Sequence, residues 1–294
     1  MINNIAQFRL NKKINKLPFE VIAVVLFGSW AKGANEEHSD CDLLIVANKI
    51  HPRKNRRGSE IATIKRIFSL GLPSDILLLT PMECISNFKN HNPLFLDICE
   101  EGFIIFDKEN FIKSLIKETK NYISTKGIER LDNGWKFPVA MHTPSYLSAV
   151  SQKDFAKVML KDGERDYQIG EKLIEEHFFD KAVYHFQQAV EKAIKSVLIC
   201  FGIFKKTHFV GEILLKELEN IEMEEKWKDK LKDIAIICEE IEPEVTWSRY
   251  PGIDNDALWI PYEEYTKEDA AIVAHKAKKV TDISKNFYKY WFKM

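Results

Sequence analysis

The most informative part of the sequence runs Val21-Ile-Ala-Val-Val-Leu-Phe-Gly-Ser-Trp-Ala-Lys-Gly33 and resumes, after residues 34–38, as Ser39-Asp-Cys-Asp-Leu-Leu-Ile-Val46. The unbroken apolar run over residues 21–27 predicts a buried strand. Gly28 permits a tight turn from this strand into a short helix, so backbone N–H groups and the Ser29 hydroxyl are expected to lie beyond the strand end. This arrangement is typical of a phosphate-binding turn.

Two acidic residues follow the turn. Asp40 and Asp42 stand two positions apart at the entry to a second strand over residues 43–47, and the period of two in a strand places both carboxylates on one face. Neighbouring carboxylates repel each other unless a proton or a cation neutralises them. A third acid, Asp75, opens a strand over residues 76–79 and would reach the same place if that strand lies beside the second.

Oxygen ligands of this kind suit Mg²⁺ or Mn²⁺, and Mg²⁺ is usually held by one or two carboxylates together with substrate phosphates. Three acids beside a phosphate-binding turn therefore indicate two-metal phosphoryl chemistry.

The rest of the chain divides into two halves. Residues 21–106 alternate short apolar runs with helix signals, including the capping pairs Thr80-Pro81 and Asn92-Pro93, which predicts a sheet with flanking helices. After Asp107 the strand signal disappears and long helices are predicted, one of them capped by Asp180. The predicted fold class is α+β, in which a mixed sheet is followed by an all-α bundle.

The first half resembles the nucleotidyltransferase superfamily, in the minimal form of small prokaryotic nucleotidyltransferases and aminoglycoside nucleotidyltransferases. The residues that carry the resemblance are Gly28-Ser29, Gly33, Asp40-x-Asp42 and Asp75, and the match covers about a third of the chain. It implies metal-dependent transfer of a nucleoside monophosphate, with AMP from ATP as the expected pair, to an acceptor that the motif does not identify.

The resemblance also implies roles for individual residues. Asp40 and Asp42 would bind the metals, and Asp75 would be the third carboxylate, either a further ligand or the general base toward the acceptor hydroxyl. Gly28, Ser29 and Gly33 would hold the nucleotide. Lys32 either aids phosphate binding or simply faces solvent.

The second half resembles a HEPN domain. Asp180-Lys-Ala-Val-Tyr-His-Phe-Gln-Gln-Ala-Val-Glu-Lys-Ala-Ile-Lys195 is similar to the second helix of that family, and Ser248-Arg-Tyr-Pro251 fits the segment before its last helix. The predicted domains are therefore a nucleotidyltransferase domain at 1–125, a linker at 126–146 and a HEPN-like bundle at 147–294. Because HEPN bundles generally pair, the resemblance implies a homodimer formed through the helical half.

HEPN ribonucleases use an arginine and a later histidine that are separated by four to six intervening residues. After Arg249 the candidate positions hold Asp254, Asn255 and Asp256, so RNA cleavage is disfavoured. His185 and Arg249 remain weak candidates for a distant acid–base pair, with a structural histidine and an arginine bound to an internal carboxylate as the favoured interpretations.

Composition excludes several other classes of protein. Among 294 residues, 43 Lys and Arg balance 44 Asp and Glu, which argues against a protein that binds nucleic acid through bulk charge. The basic stretch at residues 51–57 is interpreted as a solvated loop in preference to a phosphate grip. Five scattered cysteines and the lack of a long apolar run favour a cytoplasmic protein with reduced thiols and no membrane contact.

Two hypotheses of function follow. The first is an active nucleotidyltransferase. The alternative is a non-catalytic, regulatory nucleotide-binding module of a toxin–antitoxin or defence system, in which the HEPN half engages RNA or protein; a related fold does not by itself confer catalysis.

Overall fold

The computed structural model describes residues 12–33, 40–69, 72–145, 149–254 and 256–294. These residues form two compact units. The first contains the described residues up to Gly127 together with Ala149, and the second contains residues 128–145 and the described residues from Val150 onward. The first unit is a sheet with helices and the second is mainly helical, which confirms the predicted α+β class.

The first unit is built on a mixed sheet of four strands in the order β3-β2-β1-β4. The strands are β1 (Val21–Phe27), β2 (Cys41–Ala47), β3 (Ser74–Leu79) and β4 (Phe103–Asp107). β1 is antiparallel to both of its neighbours, whereas β2 and β3 run parallel. The structure confirms the three strands predicted over residues 21–27, 43–47 and 76–79, although β2 and β3 each begin two residues earlier than the apolar runs do.

Helices cover both faces of this sheet. They are α1 (Gly28–Lys32), α2 (Gly58–Phe68), α3 (Pro81–Lys89), α4 (Pro93–Glu101) and α5 (Phe111–Lys126). On one face α2 packs against alternate residues of β2 such as Leu43 and Ile45. On the other face α3, α4 and α5 pack against the intervening residues Leu44 and Val46. Burial of both faces explains why the strands are continuous apolar runs.

The predicted helix caps at Thr80 and Asn92 are present, whereas the predicted cap at Asp180 is not. The Thr80 side chain accepts a hydrogen bond from the backbone of Glu83, and the Asn92 side chain accepts one from Leu94. The prediction for Asp180 is wrong, because the helix already begins at Phe179. Asp180 lies in its first turn, where it is buried and paired with Lys181 at 2.9 Å.

The second unit centres on one helix that is almost entirely buried along one side. Its helices are α6 (Gln152–Glu175), α7 (Phe179–Cys200), α8 (Gly211–Asn220), α9 (Glu225–Ile241), α10 (Glu244–Trp247), α11 (Pro261–Glu264) and α12 (Lys267–Trp291). On α7 the row formed by Ala182, Phe186, Ala189 and Ala193 is fully buried. A Cβ atom at Gly170 of α6 would lie 2.6 Å from the Phe186 ring, so the missing side chain lets the helices approach closely.

Short strands in the second unit were not predicted. They are β5 (Glu129–Leu131), β6 (Gly134–Lys136), β7 (Ile203–Lys205), β8 (Gly252–Asp254) and β9 (Ala257–Trp259). β5, β6 and β7 form one sheet, so much of the segment predicted as a linker is paired with the helical unit. Each strand has three residues, which is too few for an alternating pattern to stand out from a loop.

All five cysteines are buried thiols. Burial raises the pKa of the Cys41 thiol to about 11 and that of Cys84 to about 12, which keeps both protonated near neutral pH. Among the described helices, none combines the length and the apolar character that a bilayer crossing requires.

The basic stretch at 51–57 contains a structural residue that its composition does not reveal. Arg57 is 1% exposed and donates to both carboxylate oxygens of Glu83, at 2.7 and 3.0 Å, and to the Leu78 carbonyl of β3. Burial by itself would raise the pKa of Glu83, but the hydrogen bonds from Arg57 and Thr80 and the charge of Arg57 outweigh it and hold that pKa below its ordinary value. The pair therefore ties the loop to α3.

We expect Arg57→Met to destabilise the protein by about 3 kcal/mol, because it leaves the Glu83 carboxylate without its cationic partner. The neighbouring Arg56 is exposed, so Arg56→Met is the matched control and should have little effect.

A carboxylate with a lowered pKa stabilises the fold above its unfolded-state pKa and loses that contribution as pH falls through the folded value. Urea unfolding should therefore show that the free energy of unfolding of the parent protein declines below pH 4.5. The decline should be weaker in Arg57→Met. Equal unfolding free energies for the two variants would contradict this role.

Candidate active site

Three strand ends meet at one edge of the first sheet. In the strand register Phe27, the last residue of β1, pairs with Asp42 of β2, and Asp42 pairs with Asp75 of β3. Neighbouring strands lie about 4.8 Å apart and paired residues project to the same face, so the Asp42 and Asp75 side chains stand side by side. Asp40 precedes β2 and is exposed, separated from Asp42 by the buried Cys41. The structure thus places all three predicted acids at this edge.

The predicted turn adjoins the second of these acids. Gly28 has φ 72°, a left-handed conformation that favours glycine, and it opens α1 directly after β1. A Cβ atom at Gly28 would lie 2.0 Å from Oδ2 of Asp42, so the carboxylate lies against the backbone of the turn. Ser29 is the next residue of α1 and is partly exposed. The turn and the acids therefore form one site.

Gly33 ends α1 in the same backbone conformation. Its φ is 70° and its N–H is directed at the carbonyls of Ser29 and Trp30, which makes it the C-cap of the helix. A Cβ atom there would meet no other atom within 4 Å. The requirement for glycine at this position is therefore conformational, in contrast to Gly28, where the neighbouring carboxylate also excludes a side chain.

Lys32 has a protein partner that sequence reasoning missed. Its Nζ atom lies 3.0 Å from Oε2 of Glu101, at the end of α4, and the lysine side chain is 39% exposed. The ion pair therefore holds Lys32 against α4 rather than leaving it fully in solvent. No local signal links residues so far apart in the chain, since only the packing of α1 on α4 brings them together.

The donor chemistry of this edge fits a hard divalent cation. Asp42 and Asp75 offer carboxylate oxygens in adjacent register, with Asp40 at the strand entrance. Within the part of the chain that the structure describes, no three His, Cys, Asp or Glu side chains converge closely enough to hold a metal ion by themselves. Mg²⁺ commonly takes only one or two protein carboxylates and completes its shell with water and substrate phosphates, so this donor set suits it.

The two weak candidates of the helical unit have separate partners. Nδ1 of His185 lies 3.0 Å from Oδ1 of Asp166, a carboxylate that also binds Lys192. The Arg249 guanidinium lies over the rings of Tyr184 and Tyr250, at 5.1 and 4.7 Å from their centroids. Among the described residues, no hydrogen bond joins His185 to Arg249 and no carboxylate pairs with Arg249.

The favoured interpretation of His185 therefore agrees with its contact to Asp166. The expected carboxylate partner of Arg249 is wrong, because aromatic rings take that place through cation–π contacts. Of the residues at the candidate positions for that histidine, Asp254 ends β8 and Asp256 lies in the turn before β9, and Asn255 lies outside the described residues.

Comparison with known proteins agrees with this geometry. The nucleotidyltransferase domain family matches residues 9–120, and the HEPN domain family matches residues 156–287. The fold and the acidic sheet edge thus define a nucleotidyltransferase domain joined to a HEPN domain.

Two relatives come from Methanocaldococcus jannaschii. "Putative toxin MJ1304" is 36% identical over 135 residues, which cover 46% of this chain and 89% of the relative. "Putative protein adenylyltransferase MJ1305" is 33% identical over 125 residues, which cover 42% of this chain and 84% of the relative. The chain therefore belongs to the nucleotidyltransferase and HEPN families, each represented by one part of it.

Among solved structures, the chain is similar to ST0689, an archaeal HEPN homologue. The sequence identity is 24% and the TM-score is 0.34, over 46% of this chain and 98% of that chain.

Gly28→Ala and Gly33→Ala form a matched pair that isolates the contact with Asp42. Both replacements force alanine into a left-handed conformation, so both should lower the free energy of unfolding by about 1–2 kcal/mol. Only the Gly28 replacement also displaces the Asp42 carboxylate. We expect it to weaken Mg²⁺–ATP binding by roughly 10- to 100-fold in calorimetric titration, as misplacing a metal-binding group does. Similar nucleotide affinities for the two variants would show that the contact with Asp42 is unimportant.

Proposed function

We propose that the protein is a metal-dependent nucleotidyltransferase that transfers AMP from ATP to an acceptor hydroxyl. The observation that carries the proposal is the register of β1, β2 and β3, which sets Asp42 beside Asp75 and against the Gly28 turn. Family membership supports nucleotidyl transfer as the class of reaction. The identity of the nucleotide and the need for metal are the parts that experiment must test.

In the proposed reaction the triphosphate lies along the Gly28-Ser29 turn. Asp40 and Asp42 would hold Mg²⁺ or Mn²⁺, which when bound would neutralise phosphate charge and polarise the α-phosphate. Asp75 accepts the proton of the acceptor hydroxyl as its oxygen attacks the α-phosphorus. The bond from that phosphorus to the bridging oxygen breaks, and pyrophosphate leaves.

Lys32 has a secondary role in this proposal. Its pairing with Glu101 holds the ammonium group near the end of α1, where it contributes positive charge to the surroundings of the turn. Because the pair is partly exposed, that contribution is small and sensitive to salt.

One relative favours a protein as the acceptor. It carries the name of a putative protein adenylyltransferase, which supports AMP as the transferred group and a protein side chain among the possible acceptors. The proposal also includes a cytoplasmic location. It further includes a homodimer formed through the helical unit, and sedimentation velocity of the full chain would test this oligomeric state.

The second candidate function is a regulatory module of a toxin–antitoxin system. The similarity to a relative named as a toxin favours it. In that case the first unit binds nucleotide without turning it over, and the HEPN unit engages RNA or a protein. Nucleotide binding in calorimetry, without pyrophosphate release in a broad acceptor screen that includes the protein itself, would favour this second candidate.

The main test measures pyrophosphate release and intact protein mass after incubation with labelled ATP and Mg²⁺ or Mn²⁺. We expect Asp42→Asn and Asp75→Asn each to reduce transfer by a factor of about 100 or more, because one removes metal-binding charge and the other removes the base. Chelation with EDTA should also stop the reaction.

Glu109→Gln is the control for a lost negative charge, since Glu109 is exposed beyond the end of β4 and lies outside the acidic edge. This variant should react like the parent. Transfer that survives Asp42→Asn at the parental rate would overturn the assigned roles. An AMP adduct on the protein itself would identify the acceptor directly.

A further inference from the structure

The second unit contains a surface pocket that the nucleotidyltransferase site does not use. Its volume is about 320 Å³, and it lies among α10, β9, α11 and the start of α12. Its polar and aromatic lining consists of Glu244, Trp247, Trp259, Glu264, Tyr265 and Asp269. This volume is at the lower end of the range of about 300–1,000 Å³ for small-molecule sites, which suits a compact ligand.

Direct contacts fix the aromatic wall of the pocket. Nε1 of Trp259 donates a hydrogen bond to the backbone carbonyl of Trp247 at 3.2 Å. The Trp259 ring also meets the Tyr265 ring edge to face, with 6.2 Å between their centroids. Trp247 itself is 57% exposed, an unusual position for the largest apolar side chain. Two indoles and a phenol are therefore presented around one small space.

The same space is acidic. The Tyr265 hydroxyl donates a hydrogen bond to Oε2 of Glu244, and no lysine or arginine is among the lining residues. No ion pair reaches Glu244 among the described residues, although its side chain is only partly exposed. Burial raises its pKa. Hydrogen bonds from Thr266 have the opposite effect on Asp269 and lower its pKa, which keeps that carboxylate charged.

Aromatic faces and carboxylates share one preferred ligand. The face of an indole or phenol ring is electron-rich and attracts a cation that is large and weakly hydrated, and carboxylates without a cationic partner attract the same charge. A bare metal ion would gain nothing from the rings, because Mg²⁺ and Ca²⁺ require oxygen ligands. An uncharged apolar ligand would leave the carboxylates desolvated without a counter-charge.

We propose that this pocket binds an organic ammonium ion, a positively charged nitrogen carrying small alkyl groups, with Trp247 and Trp259 against the alkyl groups and the acids balancing the charge. The inference is independent of the nucleotidyltransferase activity, because every residue it uses lies between Glu244 and Asp269.

Calorimetric titration of the full chain with choline tests the proposal. The control ligand is 3,3-dimethylbutan-1-ol, which has the same shape as choline but no charge. We expect choline to bind roughly tenfold more tightly than this alcohol. Equal affinities for choline and the alcohol would overturn the proposal. It would also be overturned if neither choline at millimolar concentration nor the peptide probe described below binds.

Variants locate the binding. Trp259→Leu and Glu264→Gln should each weaken choline binding, the first by roughly tenfold. Glu263→Gln is the matched control, because Glu263 is an equally exposed neighbour that does not line the pocket. Tyr262→Leu is the aromatic control, since Tyr262 is exposed outside the pocket. Circular dichroism shows whether each variant is folded. Choline binding that both pocket variants leave unchanged would also refute the assignment.

The ammonium group has two possible sources, which a second titration distinguishes. The probe is a short peptide carrying trimethyllysine, compared with the same peptide carrying norleucine. Tighter binding of the charged peptide than of choline would indicate a protein side chain as the source, and the reverse order would indicate a free small molecule. Either order supports the pocket as an ammonium site.

Discussion

The candidate site depends on the pairing of β2, which is antiparallel to β1 and parallel to β3. Because of this arrangement, the end of β1 and the beginnings of β2 and β3 meet at the same edge of the sheet. The apolar residues of β2 are suited to burial on either face, so they tolerate a pairing register that is shifted by one residue. Asp42 does not tolerate this shift, because it would move the carboxylate to the face covered by α2. Asp42 thus helps to select the register that places it beside Asp75.

Much of the first unit could be predicted because its strands are buried on both faces. Continuous apolar runs such as Val21–Phe27 stand out in a sequence, and Thr80 and Asn92 mark helix starts by local hydrogen bonding. In the second unit, strands such as β6 and β8 have three residues and are held by pairing with distant segments or in a short hairpin. Local pattern carries little information about such pairing, so a loop was the natural prediction.

Charge was easier to detect in the sequence than the partner of each charge. Arg57 belongs to a basic stretch that was interpreted as solvated, but it is buried against Glu83 and three backbone carbonyls. Lys32 pairs with Glu101, and Arg249 contacts two tyrosines in place of a carboxylate. These partners are set by tertiary packing. The acids at the sheet edge were predictable because β-strand periodicity and strand order determine their neighbours directly.

Each unit has carboxylates whose negative charge calls for a counter-charge, but the groups around those carboxylates differ between the two units. At the edge of the sheet, Asp42 and Asp75 are next to a glycine turn with backbone N–H groups, surroundings that suit hard cations and phosphate oxygens. In the helical unit, Glu244 and Asp269 are next to indole rings, which have no lone pairs to offer a metal and instead favour a soft organic cation. Acidic residues alone therefore do not specify a ligand. The groups that surround the carboxylates determine which cation can take the place of the water that the carboxylates lose.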